Sequence, residues 1–182
     1  MKKRQGLLTT AIFMALVFMA GLLFLAGEAS AQQGKNKAEG VSGAREISKD
    51  GRFIAYDNGT VLDTQTNLMW AANDNGSEIN QANAKSYCEN YRGGGYTDWR
   101  MPTQNELAKL YDPKKTQANK CETKANNHIA TDLIHLSCYW VWASDTNGSD
   151  VAAFFRFDGG RRYMNHLAGP NSHRALPVRS VK

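Results

Sequence analysis

Cys88, Cys121 and Cys138 are the only thiols in the sequence. In an oxidising compartment an odd count reads as one disulfide and one leftover. Cys121–Cys138 is the pairing expected first, because it closes a loop across a polar segment just before an apolar strand. Pairings that use Cys88 stay open at this level. Left unpaired, Cys88 would be a small buried hydrophobe on a helix face, and no histidine lies near it in sequence to act as a base. The four histidines fall as His128/His135 and His166/His173, seven apart within each pair. That is not a metal-ligand spacing, so no zinc site is expected. Residues 73–78 (NDNGSE) and 145–150 (DTNGSD) carry several side-chain oxygens, but neither fits the EF-hand pattern. They read as ordinary turns; no cofactor is expected, and calcium is the one ion these loops leave in play. The densest motif is Asp98-Trp99-Arg100-Met101-Pro102-Thr103. Its expected role is structural: Trp99 in the core, Arg100 paired with a carboxylate such as Asp98 or Glu106, and Pro102 setting up a capped helix.

The remaining chemistry lies near the C-terminus. Residues 151–182 hold Arg156, Arg161, Arg162, Arg174, Arg179 and Lys182 against the single acid Asp158. A basic end on a near-neutral body favours an anionic partner there. Arg161, Arg162, Tyr163, His166, His173 and Arg174 are the expected ligand contacts. Arginine forks among Tyr, Asn and His suit sulfate, carboxylate or sugar-hydroxyl recognition, with an aromatic ring to stack on a sugar face.

The chain that must position these residues has 182 of them, 42% hydrophobic and 21% charged, which excludes a disordered or collagen-like protein. Lys2, Lys3 and Arg4 precede an apolar run over residues 7–26 and then Ala29-Ser30-Ala31. A basic start, an apolar middle and a small-x-small end make residues 1–31 a secretory signal peptide; an uncleaved membrane anchor is the rival reading. Removing Lys2, Lys3, Arg4 and Glu28 takes the formal charge from +5 to +3, too mild for a nucleic-acid partner. Residues 32–50 are polar and small, and read as a flexible linker with order beginning near Gly51.

Residues 51–182 are long enough for one domain. Strands are expected at 52–56, 60–63 and 68–71, with a hairpin turn at Asn58-Gly59. A helix over 77–92, with Ser77 as its cap, aligns Ala84, Tyr87, Cys88 and Tyr91, and three glycines from Gly93 stop it. Thr103-x-x-Glu106 is a capping box for a second helix with Leu107, Leu110 and Tyr111 on its apolar stripe. Strands follow at 138–144, 151–157, 161–164 and 176–181, with Val151, Ala153, Phe155 and Phe157 sharing one face and Arg156 on the other. Strands, then helices, then strands give an α+β class.

Asn58-Gly59-Thr60-Val61-Leu62-Asp63, Thr66-Asn67-Leu68-Met69-Trp70, Ala84-x-x-Tyr87-Cys88, Gly94-Gly95-Tyr96-x-Asp98-Trp99-Arg100-Met101-Pro102-Thr103, Glu106-Leu107, Trp142-Ala143-Ser144, Phe157-Asp158-Gly159-Gly160 and Val178-Arg179 occur in that order. Together they resemble the Lcl C-terminal domain family of bacterial exported domains, over residues 51–182. The resemblance implies a C-type-lectin-like fold related to the formylglycine-generating-enzyme fold, with two helices packed on a twisted antiparallel sheet and long irregular loops. In related folds the late region often forms the ligand surface. Members often end Val-Arg-Cys-Val-Arg, where that Cys would pair with the first-helix Cys; Ser180 stands there in this chain. The sulfatase-activating relatives use a pair of active-site cysteines, and no such pair can be matched here, which argues against that enzyme.

The resulting expectation is an exported, non-enzymatic binding module, periplasmic, cell-surface or secreted, that recognises a glycan, an anionic polymer or a surface protein. It would meet a membrane only through an uncleaved N-terminal segment. The alternatives are a structural or envelope-assembly subunit and, third, an enzyme of the formylglycine-generating type.

Overall fold

The computed structural model describes residues 43–121, 125–148, 151–166 and 173–181. The expected signal peptide and residues 32–42 of the expected linker lie outside them. The elements run β1 (Glu46–Asp50), β2 (Phe53–Tyr56), β3 (Thr60–Asp63), β4 (Leu68–Ala71), α1 (Gln81–Asn90), α2 (Gln104–Lys109), β5 (Trp140–Thr146), β6 (Val151–Arg156), β7 (Arg161–His166) and β8 (Val178–Ser180). They form two antiparallel sheets, one ordered β1-β2-β3-β4-β8 and one ordered β5-β6-β7. The α+β class expected from element order is what the chain adopts.

The linker boundary at residue 50 is corrected. β1 is a strand of the first sheet, registered from Glu46 opposite Tyr56 to Asp50 opposite Phe53. Its side chains are almost all exposed, so nothing in its polarity marks it as a strand. Backbone pairing to β2 orders it, helped by ion pairs from Arg45 to Asp57 and from Lys115 to Asp50. The Lys115 hydrogen bonds hold the Asp50 carboxyl below its ordinary range.

β3 and β4 are buried at every position, because both faces of the first sheet are covered. Val61 and Trp70 face the main core with Leu107, Leu110, Val141, Phe155 and Leu176. Leu62 and Met69 face the other way, against Tyr56 and Trp99. β6 is likewise buried on both sides. Ala153 and Phe155 join the main core, as the expected periodicity required, while Ala152 and Phe154 pack with Ala84, Cys88, Met101 and Trp142.

α1 is shorter than expected. Its cap is Asn80, whose side chain accepts from the Asn83 amide, not Ser77. The intervening residues belong to the crossing from the first sheet, where the Ile79 amide donates to the His173 carbonyl. α2 starts where the capping box places it: Thr103 Oγ1 accepts from the Glu106 amide at 3.1 Å, and Glu106 Oε2 accepts from the Thr103 amide at 2.8 Å. Arg100 donates to both Glu106 oxygens, at 2.8 and 2.6 Å. Burial pushes the Glu106 carboxyl up, but the Arg100 and Thr103 hydrogen bonds outweigh it and hold it below its ordinary value. Asp98 serves a different strand, accepting from Arg179 of β8 at 2.6 and 3.1 Å. That guanidinium also lies 3.9 Å from the Tyr96 ring centre. The dense motif thus ties the α1–α2 connection to both α2 and β8.

The β6–β7 turn needs a glycine at 160. Its φ is +65°, and a Cβ there would come within 2.6 Å of the Tyr111 ring. Gly160→Ala is expected to cost about 2 kcal/mol, from left-handed backbone strain plus displacement of that ring. A urea-unfolding midpoint equal to wild type would refute this.

Candidate ligand-binding surface

Strand pairing decides which of the expected contacts share a face. Arg156 of β6 stands opposite Arg161 of β7, Phe154 opposite Tyr163, Phe155 opposite Arg162 and Val151 opposite His166. Side chains alternate along a strand and paired residues point the same way. Arg161 and Tyr163 therefore share one side of the second sheet, while Arg162 and His166 share the other, flanking Met164, which is 39% exposed. Arg161, Arg162 and His166 are exposed and Tyr163 is half-buried.

His173 and Arg174 do not belong to this surface, and the expectation that they do is corrected. They are only 3% and 7% exposed. The His173 ring stacks on Trp142 at 4.1 Å between centres and meets the Phe154 ring edge-on at 4.3 Å. Arg174 Nε donates to Ser137 Oγ at 2.8 Å, and its backbone bridges β5 through the Trp140 carbonyl and the Trp142 amide. A polar pair just before the last strand looks like surface in a linear reading. Here the chain before β8 pairs in parallel with β5, Arg174 against Val141, which buries the side chains of His173 and Arg174. Asn171, in the same expected loop, lies outside the described residues.

Tyr139 and Trp140, not singled out in the sequence, join Arg156 in completing the Arg161 side. Trp140 faces Arg156 across β5 and β6, and Tyr139 packs against Trp140 at 4.9 Å. The Arg156 guanidinium carbon lies 5.4, 5.8 and 5.6 Å from the ring centres of Tyr139, Trp140 and Tyr163, close enough for cation–π attraction. Asp158 accepts from Arg156 Nε at 3.0 Å and also from its terminal nitrogen, which keeps the guanidinium charged still more firmly. Tyr163 in turn stacks flat on Phe154, at 5.2 Å and 9°. The signal available in sequence was the two-residue period Trp140, Trp142 opposite Arg156, Phe154.

The result is a platform of two half-buried rings, Trp140 and Tyr163, backed by the buried Tyr139, with one neutralised arginine set into it and a second arginine beside it. Two like charges directly across a strand pair repel. Asp158 cancels Arg156, and among the described residues Arg161 has no acidic partner. An oxyanion placed on Arg161 would neutralise the remaining charge and gain a charge-assisted hydrogen bond.

The other candidates are occupied structurally. Cys121 and Cys138 are joined in a disulfide, and Cys88 is free and buried. Burial, with a smaller effect from Glu89, pushes the Cys88 thiol up to about 12, so it is not a nucleophile at neutral pH. In the first acidic loop, Asp74 accepts from the Gly76 amide and from Ser137, and Asn75 accepts from the Ala175 amide. In the second, Asp145 accepts from the Gln104 amide at the start of α2; Ser149 and Asp150 lie outside the described residues. No group of three His, Cys, Asp or Glu side chains is placed to hold a metal ion among the described residues.

These features define an α+β domain of two antiparallel sheets bearing an arginine-and-aromatic surface on an edge strand. The family model for the Lcl C-terminal domain matches residues 59–181, and the chain belongs to that family. No curated protein matches the sequence.

Proposed function

We propose that the chain is an exported, non-enzymatic binding module of C-type-lectin-like fold that recognises a glycan, an anionic polymer or a protein at the cell surface. The observation that carries this reading is the half-buried pair of rings Trp140 and Tyr163 beside Arg156, with Arg161 exposed and uncompensated at its edge. A flat ring offers a stacking surface for a sugar face, and an arginine fork fixes an acidic substituent beside it. Export rests on the basic, apolar and small-x-small order of residues 1–31 and accords with a disulfide in the domain. The buried thiol of Cys88 weighs against thiol chemistry of the formylglycine-generating type. Met164, exposed on the opposite side of β7, favours the second reading, an envelope-assembly subunit that docks a protein there.

The test is binding of the purified protein to neutral and sulfated glycans at two salt concentrations, beside Arg161→Ala/Arg162→Ala. Arg174 stays intact because its replacement would report on folding. Salt-sensitive binding that falls about tenfold or more in the double variant, the worth of one charge-assisted hydrogen bond, is the expected result. Undiminished binding by the variant removes β7 as the site. No binding to any glycan moves the proposal to the protein partner.

A further inference from the structure

A second concavity lies away from β7. The β4–α1 loop and the segment approaching β5 enclose a cleft of about 290 Å³, lined by Asn73, Asp74, Gln117, Lys120, His135 and Ser137 among others. Most of its polar atoms are committed. Asp74 Oδ1 accepts from the Gly76 amide at 2.8 Å, and Oδ2 accepts from the Ser137 amide at 2.7 Å and its hydroxyl at 3.0 Å. Gln117 donates to the Ile134 carbonyl and accepts from the Leu136 amide. Burial raises the Asp74 carboxyl above its ordinary value, and Arg174 opposes that rise, so the buried acid already has a positive neighbour.

The side chains of Asn73, Lys120 and His135 are different. Among the described residues none of them makes a hydrogen bond or ion pair, and all three line the cleft. Ammonium, imidazole and amide each carry an N–H, so the uncommitted chemistry is donor-rich. The walls are also held before any ligand arrives. Lys120 and Ser137 each immediately precede a cysteine of the Cys121–Cys138 disulfide, and the Lys120 amide donates to the Ser137 carbonyl at 2.8 Å. The backbone of the wall is thus fixed in advance, and binding has only the exposed side chains of Asn73, Lys120 and His135 left to order.

We propose that this cleft is a second binding site, for a small hydroxycarboxylate, with the carboxylate held by Lys120 and His135 and a hydroxyl meeting Asn73. The volume suits a ligand of a few carbons rather than a polymer. It lies off the Arg161 surface and does not depend on the reading of that surface.

The probe is malate, titrated into the isotope-labelled purified protein and followed by amide resonances. Saturable shifts at Asn73, Lys120 and Ser137 are expected, together with about tenfold weaker binding in Lys120→Ala. Lys120 is exposed, so that variant should keep the wild-type spectrum elsewhere. Arg161→Ala/Arg162→Ala should bind malate as wild type does. Dimethyl malate, with the same skeleton and no charge, should give no saturable shifts. Equal binding of the diester, equal affinity in Lys120→Ala, or shifts confined to β7 would each overturn the proposal.

Discussion

Trp142→Ala is expected to lower the unfolding free energy by about 4 kcal/mol, the largest effect of any substitution considered for this domain. Trp142 is 4% exposed. Its ring lies flat against His173 and edge-on to Phe154 at 6.0 Å, and its indole donates to the Ile79 carbonyl at 2.8 Å. Alanine would leave a cavity between β5 and α1 and strand that carbonyl without its donor. Urea unfolding followed by far-UV circular dichroism measures the loss. Trp142→Phe keeps most of the volume and loses only the donor, so it should cost about 1–2 kcal/mol. Equal losses in the two variants would show that the hydrogen bond, not the packing, dominates. The substitution also reaches the proposed ligand surface, because Tyr163 rests on Phe154 and Phe154 on His173. The folded fraction of Trp142→Ala should therefore bind more weakly than wild type even though Trp142 is buried.

Breaking the Cys121–Cys138 bond should cost about 3 kcal/mol, the loop-closure entropy of a 17-residue separation. Cys121→Ala/Cys138→Ala and wild type unfolded in the presence of a reducing agent should shift their urea midpoints by similar amounts. Cys88 is free and buried in the folded domain, and Cys88→Ala in both backgrounds keeps its thiol from exchanging with the disulfide once unfolding exposes it. A reducing agent that leaves the wild-type midpoint in place would mean the segment before β5 is held without the disulfide, by packing and by the Gln117 side chain, which donates to the Ile134 carbonyl and accepts from the Leu136 amide.

The parts of this protein legible in its sequence are those whose cause is local. The Thr103–Glu106 capping box fixed the start of α2 because both hydrogen bonds lie within one helical turn. Asn58-Gly59 and the polar turn after β3 bounded β3 and β4 to the residue, since Gly59 takes a φ of +77° and Asn67 one of +53°. The exposure of Arg161, Arg162 and His166 followed from the polar character of the strand after Gly160. Cysteine number and the polar segment between Cys121 and Cys138 made that pairing the first choice, with pairings through Cys88 open, and the structure joins Cys121 to Cys138.

Tertiary structure decided whatever depends on partners distant in the chain. β1 exists because its backbone pairs with β2; five nearly all exposed side chains carry no periodicity to announce it. Arg100 and Asp98, two residues apart, choose different partners because one faces α2 and the other β8, 81 residues away. His173 and Arg174 are polar in sequence and buried in space, since the chain pairs alongside β5, where Trp142 covers the ring and Ser137 accepts from the guanidinium. The proposed ligand surface divides in the same way. Sequence placed two arginines and a tyrosine on one strand; pairing with β6 set Arg161 beside Arg156 and its rings and turned Arg162 to the opposite face. Local hydrogen bonds and turn chemistry are written into neighbouring residues, whereas register and burial are settled only when separate segments compete for the same core.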